Sequence, residues 1–125
     1  MRNPRPWFVV CGGVLVLLSA AVPRLALAAE AKPTIKEVMT AAHKKPGELL
    51  KKVATGKATD AEKAQLVKLY QAMASQRPAR GEAASWEEKT AAMVKAAQAA
   101  AENKPEAGAE LTRVTNCAAC HEAHK

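Results

Sequence analysis

The chain has 125 residues, of which 49% are hydrophobic, 3% are aromatic and 25% are charged, and its formal net charge is +7. This length is typical of a single domain. The basic residues are dispersed among acidic ones without interleaved aromatic side chains, which argues against a nucleic-acid-binding surface. Only three cysteines are present, too few for a disulfide-rich scaffold.

The first 28 residues have the features of a secretory signal peptide. Arg2 and Arg5 precede an apolar run of sixteen residues at positions 7–22, which is shorter than the roughly 20 residues that span a bilayer. Positions 26–28 read Ala-Leu-Ala, an A-x-A cleavage site. We therefore expect residues 1–28 to be removed together with Cys11, leaving a mature domain at 29–125. The alternative is an uncleaved membrane anchor.

Four segments of the mature chain open with the capping-box pattern that marks a helix start, a Ser, Thr or Asn followed three residues later by Glu. Each heads a run rich in Ala, Lys and Glu, and the fourth has Pro105 just inside the predicted helix start. The four pairs are Thr34 with Glu37, Thr59 with Glu62, Ser85 with Glu88, and Asn103 with Glu106.

The caps and breakers predict helices at 34–45, 60–76, 86–102 and 104–125, with a short helical piece at 48–55 that ends at Gly56. In the second helix, apolar residues recur at helical spacing from Leu66 to Met73 and indicate a buried face. In the fourth, Leu111, Val114, Ala118 and His121 should share one face. Four helices joined by short loops predict an all-α fold, an up-down-up-down four-helix bundle.

The last nine residues contain Cys117-Ala-Ala-Cys120-His121, the attachment signature of a c-type haem. Two thiols at i and i+3 lie about one helical turn apart, so each can form a thioether with the same haem, and His121 is then held close to the iron as its proximal ligand. A thioredoxin-like motif would follow a strand in a βαβ setting, and a zinc site would need a second pair of ligands. We expect one covalent haem c and, because such attachment is expected outside the bacterial inner membrane, a periplasmic location.

Met39 and His43 are the candidates for the distal side of the iron, and they share a helix face at i and i+4. In the predicted bundle, the start of the first helix lies beside the end of the fourth. Measured along the bundle axis from this end of the bundle, His121 then lies at a depth of roughly 6 Å, Met39 at roughly 7–8 Å, and His43 one helical turn deeper. The similar depths of His121 and Met39 favour Met39 as the distal ligand, while His43 or an open site remain alternatives. Three other residues are expected elsewhere, Met73 and Met93 in the core and His124 at an exposed chain end.

In these features the chain resembles the class II c-type cytochromes, four-helix bundles with Cys-x-x-Cys-His near the C-terminus. The resemblance implies a methionine ligand early in the first helix, where Met39 stands, and a basic residue three positions earlier that meets a haem propionate. Lys36 occupies that position instead of the usual arginine. It also implies electron transfer when methionine ligates the iron and gas binding when the sixth site is open, and a homodimer formed through the first two helices.

The expected function is that of a periplasmic mono-haem cytochrome c that carries single electrons between transiently bound redox proteins. We expect no enzymatic activity, no nucleic-acid partner and no stable membrane insertion after signal cleavage. The alternatives are a five-coordinate protein that binds or senses NO or CO, a bis-histidine cytochrome that uses His43, and a small peroxidase with His43 as its distal acid and base.

Overall fold

The computed structural model describes residues 30–45 and 48–125, so the predicted signal peptide and its cleavage site lie outside the described residues. Within them the fold is all-α, and no strand is found there. Six helices follow one another: α1 (Ile35–His43), α2 (Leu49–Ala54), α3 (Asp60–Ala74), α4 (Ala83–Ala101), α5 (Ala107–Val114) and α6 (Cys117–His124). None of these helices is long and apolar enough to cross a membrane.

Two of the four predicted capping boxes are confirmed, and they fix the starts of α1 and α3. The Thr34 hydroxyl accepts the Glu37 backbone N–H at 3.3 Å, while the Glu37 carboxylate accepts the Thr34 N–H at 2.7 Å. Thr59 and Glu62 form the same reciprocal pair. Gly56 has φ +71° and ends α2, since only glycine enters the left-handed region at no steric cost.

The other two predicted capping boxes are wrong. α4 begins two residues before Ser85, at Ala83, and the Ser85 hydroxyl lies instead 3.1 Å from a ring nitrogen of His124. Asn103 does not open a helix: its φ is +55°, and its N–H bonds back to the carbonyl of Ala100. Asparagine is one of the few residues that tolerate this conformation, so it closes α4 instead.

The single helix predicted at 104–125 is also wrong, because α5 and α6 are separated at Thr115 and Asn116. The Thr115 hydroxyl donates to the Leu111 carbonyl at 2.7 Å, and the Asn116 side chain accepts the Ala119 N–H at 3.2 Å as the cap of α6. Short polar side chains that bond to nearby backbone compete with helix continuation. Because of this break, Ala118 and His121 do not continue the helix face of Leu111. Leu111 is buried, whereas Ala118 and His121 are exposed.

The core lies mainly between α3 and α4, with α1 packed on α3 and α5 packed on α4. Met73 and Met93 are buried as predicted, at 1% and 5% exposure, and Leu69 is only half-buried. α5 can approach α2 closely because Gly108 lies against the carbonyl of Ala54.

Candidate functional site

Two adjoining cavities lie between α1 and α6, and together we call them the α1–α6 cleft. The smaller one, of about 140 Å³, is lined by Met39, His43, Cys117, Cys120 and His121 among others. The larger one, of about 490 Å³, is lined by Met39, Cys120 and His121 again, together with Lys36. The structure thus places all six sequence-predicted site residues around one cleft.

Local helix geometry presents these side chains to the cleft. On α1, Val38 and Ala42 are fully buried in the core, and the adjacent positions Met39 and His43 are half-buried on a neighbouring face. On α6, the motif begins at the first helical residue. Its two cysteines are three residues apart and therefore lie about one helical turn apart. Both thiols are free, Cys117 exposed and Cys120 half-buried.

His43 is held by a tyrosine that sequence reasoning placed only in the core. The Tyr70 hydroxyl lies 3.4 Å from Nε2 of His43, and the two ring centroids are 5.8 Å apart. A buried tyrosine commonly directs its hydroxyl to a polar partner, which is the signal that could have linked Tyr70 to the site. Burial, together with the nearby charge of His121, lowers the pKa of His43 and favours its neutral form.

Burial also shapes the other titratable groups on the cleft. It raises the pKa of Tyr70 well above its usual value, with a further contribution from the nearby Cys117. It raises the pKa of the Cys120 thiol as well, against the opposing effect of the Lys89 ammonium. Cys120 on the cleft, and Tyr70 behind His43, are therefore neutral groups at neutral pH.

The larger cavity has positively charged residues at its edge. It is lined by Lys36 of α1, by Lys44 immediately after that helix and by Lys125 at the chain end, and no aspartate or glutamate is among its lining residues. The sequence pointed to Lys36 alone, because only the tertiary structure brings Lys44 and Lys125 to the same cavity. In the part of the chain that the structure describes, no three His, Cys, Asp or Glu side chains form a ligand group for a metal ion.

The prediction that His124 is exposed is wrong. His124 is 7% exposed and packs edge-on against Trp86, with ring centroids 5.5 Å apart. Both residues line the larger cavity. Sequence position near a chain end gave no sign of this burial, since the ring's partners lie some 40 residues earlier.

Comparisons with protein-family models, curated proteins and solved structures return no match for the chain.

Proposed function

We propose that the chain is a periplasmic mono-haem cytochrome c that carries single electrons, with residues 1–28 removed on export. Cys117 and Cys120 are the thioether anchors, His121 is the proximal iron ligand and Met39 is the distal one. The observation that carries the proposal is that the Cys-x-x-Cys-His motif on α6 and Met39 on α1 line the same cleft. The proposed architecture is an up-down-up-down bundle whose four arms are α1, α3, α4 and the α5–α6 pair.

The residues around the α1–α6 cleft fit a covalent haem. Its donor set consists of two thiols, an imidazole and a methionine sulfur, which are the groups that anchor and ligate such a haem. The larger cavity of about 490 Å³ falls within the roughly 300–1,000 Å³ of small-molecule and cofactor sites. The three lysines at its edge complement a flat apolar group that carries carboxylates.

Met39 suits the distal position better than His43 does. Met39 borders both cavities, as His121 does, whereas His43 borders only the smaller one. Nε2 of His43 also lies within hydrogen-bond distance of Tyr70, and that bond would be lost on ligation through this nitrogen. The Met39 sulfur, in contrast, is a weak acceptor with little to lose.

When bound, the haem iron supplies a one-electron couple. His121 and Met39 would both ligate the iron, and a haem held by two protein ligands suits electron carriage rather than the binding of a substrate. Lys36, Lys44 and Lys125 would hold the carboxylate edge by charge, as point charges rather than as bidentate groups. A partner would dock at the open mouth of the cleft through a small and transient interface of the redox type.

The test combines the mass and the absorption spectrum of the purified mature protein. The mass must show one covalently attached haem. Wild type should be low-spin in both states, with the weak ferric band of a sulfur–iron bond. Met39→Leu, which nearly conserves volume, should abolish that band. Met93→Leu is the matched control, because Met93 also lines the smaller cavity, and this variant should keep the band.

Bis-histidine ligation by His43 and His121 is the second candidate, and it is favoured by the position of His43 on the smaller cavity and its lowered pKa. In that case Met39→Leu would leave the spectrum low-spin and His43→Ala would turn it high-spin. A wild-type protein that is high-spin when reduced and binds CO readily would instead support gas binding. A colourless protein with alkylatable thiols would refute haem binding altogether.

A further inference from the structure

α6 carries the haem-binding motif, yet the fold buries very little of it. Of its eight residues, six are exposed, Cys120 is half-buried and only His124 is buried. At its N-terminal end the helix is fixed by the Asn116 cap. At its C-terminal end, the position of α6 relative to the cleft depends on what His124 contacts.

The His124 ring is held by three contacts, one from the segment that joins α3 to α4 and two from the first turn of α4. Its Nδ1 lies 3.3 Å from the Arg80 carbonyl oxygen and its Nε2 lies 3.1 Å from the Ser85 hydroxyl, while its ring packs against Trp86. A carbonyl oxygen can only accept, so Nδ1 donates its N–H to Arg80. Each of the two ring nitrogens therefore has a polar partner.

The adjoining loop is shaped to admit this ring. Gly81 has φ +97°, and a Cβ at this position would overlap His124 and the carbonyl oxygen of Ala123. Any other residue would meet both backbone strain and a collision. The close approach of the loop to the end of α6 therefore requires glycine.

The contacts continue from His124 to the opposite wall of the cleft. The Trp86 indole N–H donates to the Gln76 carbonyl at 2.8 Å. The Gln76 side-chain amide donates in turn to the Pro33 carbonyl at 2.6 Å, immediately before the Thr34 cap of α1. A connected chain of contacts thus joins the end of α6 to the start of the helix that carries Lys36 and Met39.

We propose that His124 is a positioning residue that, through Trp86 and Gln76, sets the placement of α6 relative to α1. It thereby brings His121 and Met39 to the separation that one iron requires. This inference rests on the proposed function, because it concerns the two proposed axial ligands. His124 itself binds neither the iron nor the haem, and it acts through the position of the helix that it ends.

The test compares His124→Ala with Glu122→Ala, an exposed residue of the same helix, in the purified mature protein. Amide hydrogen exchange in residues 120–124 should accelerate at least roughly tenfold in His124→Ala, since two hydrogen bonds and an aromatic contact oppose local opening. Exchange in α3 and α4 should stay unchanged. The ferric sulfur–iron band should weaken in His124→Ala and keep its wild-type amplitude in Glu122→Ala.

Two further variants keep the test decisive if His124→Ala fails to fold. Ser85→Ala removes one hydrogen-bond partner and leaves the ring in place, so it should show both effects in weaker form. Gly81→Ala should displace the ring and weaken the band as His124→Ala does. The inference is overturned if exchange in α6 matches the Glu122→Ala control, or if it accelerates while the band keeps its amplitude.

These outcomes separate the inference from the function on which it rests. A coloured, low-spin wild type with an unaffected His124→Ala overturns the inference alone. A colourless wild type overturns the proposed function and this inference together.

Discussion

The α3–α4 pair and α6 differ in how much of each the fold buries. Leu66 and Tyr70 of α3 and Ala97 of α4 are fully buried, and the two helices form the largest helix–helix contact of the described residues. In α6 only His124 is buried. The fold's stability and the proposed chemistry therefore reside in different helices. A change in α3 or α4 should alter global unfolding, and a change in α6 should alter the site alone.

The largest expected effect is on the α3–α4 side of this comparison. Leu66→Ala removes a fully buried side chain and should lower the free energy of unfolding by about 2–5 kcal/mol, through lost transfer energy and the cavity left behind. Leu69→Ala, at a half-buried position of the same helix, should have a clearly smaller effect. Chemical denaturation of both variants measures the difference, and equal losses would contradict the deeper burial of Leu66.

α5 connects the two regions, and its Gly108 lies against the carbonyl of Ala54 in α2. In Gly108→Ala the new Cβ would overlap the Ala54 carbonyl oxygen, so α2 and α5 must separate. We expect destabilisation by about 1–3 kcal/mol, as for other overpacked sites, despite the better helix propensity of alanine. Glu110→Ala, on the exposed side of the same helix, is the control. A Gly108→Ala variant as stable as this control would refute the close approach.

The N-caps Thr59 and Asn116 allow the two regions to be compared with the same chemistry, since each accepts a backbone N–H at the third helical position. Thr59→Ala should lower the free energy of global unfolding by about 1 kcal/mol, because α3 is part of the core. Asn116→Ala should weaken α6 to a similar degree, yet we expect it to accelerate only local amide exchange. A global loss in Asn116→Ala equal to that in Thr59→Ala would show that α6 unfolds together with the core.

The smallest expected effect is a pH dependence that arises outside α6. A hydrogen bond from Lys52, at 2.7 Å, lowers the pKa of the Glu62 carboxyl, and the Thr59 N–H adds to this. The resulting stabilisation is present above the carboxyl's ordinary pKa of 4.5 and is lost as the pH falls through the lower folded value. Glu62→Gln should therefore flatten the dependence of Tm on pH in this acidic range.

The capping boxes at Thr34 and Thr59 and the helix stop at Gly56 could be predicted because each depends on hydrogen bonds between residues two to five positions apart. The same local pattern gave wrong predictions at Ser85 and Asn103. The Ser85 side chain contacts a histidine 39 residues away, and the Asn103 side chain binds a lysine 40 residues away. A short window of sequence contains the pattern and not the competing partner.

The sequence by itself determined the all-α class, the buried stripe of α3 and the spacing of Cys117, Cys120 and His121, since these follow from helical periodicity within one segment. Only the tertiary structure decided that Tyr70 meets His43 and that His124 is buried against Trp86. Those side chains are brought together by helix packing, and the energy of such contacts depends on neighbours that no local pattern specifies.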